Sequence, residues 1–108
     1  MTYTSTSRVR GLFGFSEKDC GDTPMEELIV YIDKEVDLAT GTTWDGSETY
    51  YPIVQEAATI LTGSLVYKRF PDKLELSQYL WKEGMQKLEE VCEAVDGIPL
   101  IAYEDPLV

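Results

Sequence analysis

Carboxylates supply most of the chemistry this sequence could offer: 20 Asp and Glu stand against 9 Lys and Arg, a formal net charge of −11. Asp33 and Asp37 lie four residues apart with Glu26 and Glu27 upstream, and Glu89, Glu90 and Glu93 form a second cluster. Paired carboxylates can move a proton or hold a hard cation, but only with burial or a convergent cage of oxygens. Both clusters fall on helix faces read as solvated, without the loop spacing of a calcium site, so a wet acidic surface is the expectation. There is no histidine to serve as a base near neutral pH or to ligate zinc. Cys20 and Cys92 lack CxxC spacing; one long-range bridge is open to them, and reduced thiols are the expectation. GxSxG and phosphate-cradling glycine loops are also missing from the sequence. The chain is therefore expected to be no enzyme and to need no cofactor or metal.

Aromatic and basic residues offer contacts rather than reactions. Trp44, Tyr50 and Tyr51 sit within ten residues beside Asp45 and Glu48. Base stacking needs neighbouring cations, so packing onto the bundle or onto a partner fits these rings better. Lys68–Arg69 and Arg8/Arg10 are pairs, too small for a nucleic-acid footprint. For Lys68 and Arg69 two readings stay open: favourable placement at a helix C-terminus, or salt bridges to the acidic face of another subunit. A sequence pI of 4.2 points the same way, against gripping phosphate.

The elements that carry these residues read as helices. At 108 residues, with 44% apolar content, the chain is long enough for one domain with one core. Ser5 or Thr6 can cap a short first helix with Val9, Leu12 and Phe13, stopped at Gly14. Thr23-Pro24-Met25-Glu26 has the form of a capping box, and Met25, Leu28, Ile29, Ile32, Val36 and Ala39 continue at helical spacing to Gly41. Glu26, Glu27, Asp33, Glu35 and Asp37 make its expected wet side. Residues 42–51 read as a loop. A third helix begins at or just before Pro52 and runs to Phe70 ahead of Pro71. It is apolar around nearly its whole circumference, so part of it is expected to meet another subunit. A fourth helix spans 73–96, with Leu74, Trp81, Met85, Leu88, Val91, Cys92 and Val95 inward and Gly84 marking a tight crossing. The expected fold is all-α: three main helices plus a short N-terminal helix over 1–97, then an extended tail over 98–108.

That tail is the expected docking element. Ile98, Leu100, Ile101, Tyr103 and Leu107 carry more apolar surface than a solvated end needs, and Pro99 and Pro106 keep it from being helical. Terminal segments are commonly unordered, yet an extended apolar segment can lie in a partner's groove. The opening residues show no signal segment, and no apolar run is long enough for a bilayer. A cytoplasmic, non-secreted protein without a membrane partner is expected.

The order of segments resembles a known family. Val-Arg-Gly-Leu-Phe-Gly-Phe-Ser-Glu-Lys-Asp at 9–19 opens the chain, and a Thr-Pro-Met-Glu-Glu-Leu-Ile helix follows, closing on Asp-Leu-Ala-Thr-Gly-Thr-Thr-Trp. An Ala-Ala-Thr-Ile-Leu-Thr-Gly-Ser-Leu-Val-Tyr helix and a long last helix with a tail complete it. This is similar to the head–tail adaptor (head-completion) proteins of tailed bacteriophages and related archaeal viruses, across nearly the whole chain. The resemblance implies an α-helical, non-enzymatic virion protein that forms a ring, usually of twelve copies, beneath the portal. Such a ring extends the DNA channel, receives the next neck or tail-completion protein, and commonly grips the portal with its C-terminal segment. It implies the neck of the virion as location, with host cytoplasm during assembly. No residue-level site transfers, since the family has no fixed functional residues to match.

Bottom-up features suit that expectation. Carboxylates such as Glu26, Asp33, Asp37, Glu89 and Glu93 would line a lumen through which DNA passes without sticking. The tail, the aromatics Trp44, Tyr50 and Tyr51, and Lys68 and Arg69 would form protein interfaces. Two other classes compete: an acidic DNA mimic that blocks a DNA-binding protein, and a plain helical interaction module. The acidity also suits a protein from a high-salt host.

Overall fold

A computed structural model describes residues 2–96. Four helices follow in order, α1 (Thr6–Phe13), α2 (Asp22–Thr40), α3 (Tyr51–Tyr67) and α4 (Leu74–Asp96), with a 3₁₀ turn at Pro71–Lys73 before α4. Among the described residues there is no strand. The all-α bundle of three main helices and a short N-terminal one is therefore the fold. The tail, with Ile98, Leu100, Ile101, Tyr103 and Leu107, lies outside the described residues.

Helix ends follow local chemistry, with one correction. Ser5 caps α1 by accepting from the Arg8 N–H, and Gly14 ends it in the left-handed region at φ 73°. Gly41 ends α2 in the same way, at φ 73°. The start of α2 is not the capping box expected at Thr23. The helix begins at Asp22, with Gly21 as N-cap and no side-chain cap among the described residues. Asp22 instead places its charge in the first turn, where the helix dipole favours it, and binds Arg10 at 2.8 Å. Arg10 also donates to the carbonyls of Phe15 and Cys20, so this one guanidinium fastens the α1–α2 connection. Phe15 and Cys20 accordingly pack into a small second core with Val9, Met25, Ile29 and Val66.

The main core is built around α3. Val54, Ala57, Ala58, Leu61 and Leu65 are all at most 2% exposed. Most of α3 is covered within one copy, so the part of it expected to meet another subunit narrows to a few side chains. α1, α2 and α4 all pack on it, and residues before α1 add a fourth cover: the Thr4 hydroxyl meets that of Thr59 at 2.6 Å, and Tyr3 packs edge-on against Tyr51. Only Ile53, Ile60 and Tyr67 among its larger apolar side chains are left half-buried.

α3 and α4 touch more extensively than any other pair. Two details let their backbones come together. The Ser64 hydroxyl donates to the Ser77 carbonyl at 2.6 Å while the Ser77 hydroxyl donates to the Ser64 carbonyl at 2.8 Å, all of it buried. Two turns further along α4, a Cβ on Gly84 would lie 2.6 Å from Leu61 Cγ and Cδ2 and 3.4 Å from the Ala57 carbonyl oxygen. The inward stripe of α4 is accordingly Ser77, Trp81, Gly84, Leu88, Val91 and Cys92. Leu74 and Val95, expected on it, are 44% and 46% exposed because they lie beyond the two ends of the contact with α3.

Gly84→Ala should destabilise the protein by about 1–3 kcal/mol, since overpacking against Leu61 outweighs the helix propensity gained. Gly11→Ala in α1, where no described atom lies within 4 Å of the new Cβ, should stabilise it by about 0.5–1 kcal/mol. Urea unfolding of both variants checks the opposite signs.

Candidate functional site

Two constellations emerge from the fold. The first is a clasp at the N-terminus. The Tyr3 N–H donates to Asp33 Oδ1 at 3.0 Å, and the Tyr3 hydroxyl donates to Asp37 Oδ1. That hydroxyl also accepts the Trp44 N–H at 3.0 Å, while the Trp44 indole N–H donates to Thr40 Oγ1 at 3.0 Å. Asp33 and Asp37 are thus half-buried structural groups rather than members of a free acidic face, a correction to their expected setting. Burial, reinforced by the negative charge of Asp37, raises the Asp33 pKa despite the Tyr3 hydrogen bond. Burial and the hydrogen bond to Asp37 push the Tyr3 phenol well above its ordinary range.

The clasp also accounts for the aromatics. Trp44 and Tyr51 are each 8% exposed and belong to the main core, Tyr51 as the first residue of α3 rather than a loop residue. Tyr50, the N-cap of α3, is half-buried against the same core. Packing onto the bundle is therefore what the structure shows for this group, and it leaves them little surface for a partner. Sequence reading missed Tyr3 altogether; a lone aromatic ahead of a short helix carries no periodic signal. It also misplaced Glu35, which is 8% exposed rather than on the wet side. Its Oε2 has no hydrogen-bond partner among the described residues.

The remaining acids stay on the surface. Glu26 is exposed beside a shallow depression lined by Thr4, Ser5, Ile29 and Val30. Glu89 and Glu93 are exposed on α4. Burial, with a smaller push from these two carboxylates, holds the Cys92 thiol above its usual pKa. Both cysteines are free and buried, inert surroundings for a thiol. Among the described residues, no group of three or more potential ligands converges as a metal site, and no helix is long and apolar enough to cross a membrane.

The second constellation is a groove of about 560 Å³ between the first half of α2 and the end of α3. Pro24, Glu27, Leu28 and Tyr31 form one wall; Leu65, Lys68 and Arg69 form the other. It brings together Lys68 and Arg69, the two cations the sequence singled out, at the negative end of α3, where the helix dipole favours them. The Arg69 guanidinium also reaches Cys20 Sγ at 3.3 Å. An apolar floor with two cations facing one carboxylate, Glu27, can take an extended apolar segment that carries acidic residues.

No family model, curated protein or solved structure matches this chain.

Tyr3→Phe should cost about 1–3 kcal/mol by leaving the buried Trp44 N–H without an acceptor, read as a lowered urea midpoint. Asp33 has a second, pH-dependent signature. Its raised folded pKa means its contribution to stability is full below about pH 4 and is lost as pH rises through the folded value. Asp33→Asn keeps an acceptor for Tyr3 and abolishes the titration. The variant should match or exceed the wild type at pH 7, with a flatter decline in stability from pH 4 upward.

Proposed function

We propose that the protein is a structural virion component, a head–tail adaptor whose copies form a ring, dodecameric by family resemblance, beneath the portal. The observation that carries this reading is a surface divided by charge. Exposed carboxylates on α2 and α4 contrast with one apolar groove rimmed by Lys68 and Arg69. Unlike patches that complement one another are what a heterologous, head-to-tail contact requires, and such contacts close into rings where the rotation between copies allows it. The order of the helices and their local sequence support the same reading.

In such a ring Glu26, Glu89 and Glu93 are the carboxylates free to face a lumen, while Asp33 and Asp37 add charge from behind the clasp. A negative wall repels the duplex and lets it slide. The partners are then the copies themselves, the portal and the next neck protein, with DNA passing unbound.

Native mass, alone and with the portal protein from the same genome, tests the reading. A ring, or a portal complex, is expected. A strict monomer indifferent to the portal would sink it. A salt-sensitive, stoichiometric complex with a DNA-binding protein, unchanged by loss of residues 98–108, would favour the DNA mimic instead.

A further inference from the structure

The groove has a floor, a charged rim and a direction. Leu28, Tyr31 and Leu65 supply the floor, and Lys68 and Arg69 on one wall outnumber Glu27 on the other, a net positive rim on a chain whose net charge is −11. At about 560 Å³ it falls within the usual range of ligand clefts, roughly 300–1,000 Å³. That is room for a few apolar side chains of an extended peptide.

One segment of this chain has matching chemistry. Residues 98–108 lie outside the described residues and read Ile-Pro-Leu-Ile-Ala-Tyr-Glu-Asp-Pro-Leu-Val, four large apolar side chains followed at once by Glu104 and Asp105. Proline at 99 and 106 excludes a helix interior there and favours extended backbone. We propose that the groove receives residues 98–108 of a second copy, with Ile101 and Tyr103 on the Leu28–Tyr31–Leu65 floor and Glu104 and Asp105 against Lys68 and Arg69.

A copy cannot fill its own groove in this way. Cys92 and Val95 at the end of α4 line a recess with Thr40–Trp44, beyond the C-terminal end of α2, whereas the groove flanks its first half. Ser77 is bonded to Ser64, and α4 from Ser77 to Val95 is about 27 Å long. Lys68 lies one further turn past Ser64, about 6 Å more along α3. From residue 96 to Glu104 a fully extended chain spans at most about 29 Å. That falls short of the roughly 33 Å to its own rim, so Glu104 cannot reach Lys68 of the same copy with residues 98–103 lying in the groove. A neighbouring copy has no such limit. The assignment stands independently of the virion reading, and it gives the tail to a neighbour where the family resemblance would give it to the portal.

Charge reversal on full-length chains tests it by light scattering after gel filtration at low salt. The wild type should self-associate. Lys68→Glu/Arg69→Glu and Glu104→Lys/Asp105→Lys should each weaken association at least tenfold, because each leaves like charge facing like. An equimolar mixture of the two variants should recover it, since each then offers the other a complementary pair. The second variant is altered outside the bundle, so its loss of association counts even if the first folds poorly by circular dichroism; the chain carrying all four substitutions should then recover. A monomeric wild type, unaffected variants, or a mixture no better than its components would overturn the docking. Association that survives removal of 98–108 would overturn it too while leaving a ring reading intact, whereas indifference to the portal strikes the adaptor reading alone.

Discussion

The close approach of α3 and α4 is the constraint on which the other elements depend. At Ser64 and Ser77 each hydroxyl bonds the other helix's residue at its carbonyl, which satisfies buried oxygens without bulk. At Gly84 the Leu61 side chain occupies the space a Cβ would need. With α4 drawn in so far, α3 exposes on its remaining sides only as much surface as α2, α1 and the residues around Tyr3 can cover. A short chain thereby encloses a helix that is apolar on almost every side. The Lys87–Glu56 ion pair spans the same two helices at 3.3 Å, but as an exposed pair it adds only about 0–1 kcal/mol. The contact is held by packing and buried hydroxyls.

Acidity serves two ends in this molecule. Asp33 and Asp37 fix the N-terminal segment through Tyr3, and Asp22 anchors Arg10. These carboxylates form part of the folded structure, and the raised pKa of Asp33 shows that its burial is not fully compensated. Glu35 is a sharper instance: a carboxylate oxygen buried without a partner is a local cost set against the packing of Ile32, Val36 and Ala39 around it. Glu26, Glu89, Glu90 and Glu93 are solvated, as are Glu17, Glu27, Glu56, Asp72 and Glu75 among others. The net charge therefore overstates the acidity of the free surface.

Periodicity made the helices legible, because apolar spacing, Ser5, Gly14 and Gly41 all state local preferences that the fold keeps. Gly84 was legible for the same reason: glycine inside a strongly amphipathic helix carries a penalty that close packing explains. What sequence could not show depends on contacts distant along the chain. Tyr3 meets Asp33 and Asp37 across thirty or more residues, and Glu35 is 8% exposed on a helix that packs on both α3 and α4. The start of α2 lies at Asp22 because the Met25 N–H already bonds the Gly21 carbonyl, a turn that Gly21 can cap without a side chain. The groove escaped notice on the same grounds: Lys68 and Arg69 were visible as a pair, but their apolar neighbours Leu28 and Tyr31 come from a helix forty residues earlier.

Enclosure of α3 moves any incompleteness of the single copy away from the core and onto its two ends. The groove lies beside the start of α2 and the end of α3, while α4 leaves the bundle at the opposite end, in a molecule 41 Å long. A link from the end of one copy to the groove of another joins unlike surfaces, so it can be exchanged between two copies or pass from copy to copy until it closes. Repulsion among copies that each carry −11 opposes stacking them closely. A tether made by a peptide segment tolerates that repulsion, because it joins copies without pressing their acidic faces together. Lys68 and Arg69 then serve where the chain most needs positive charge, at the one place where another copy's carboxylates have to arrive.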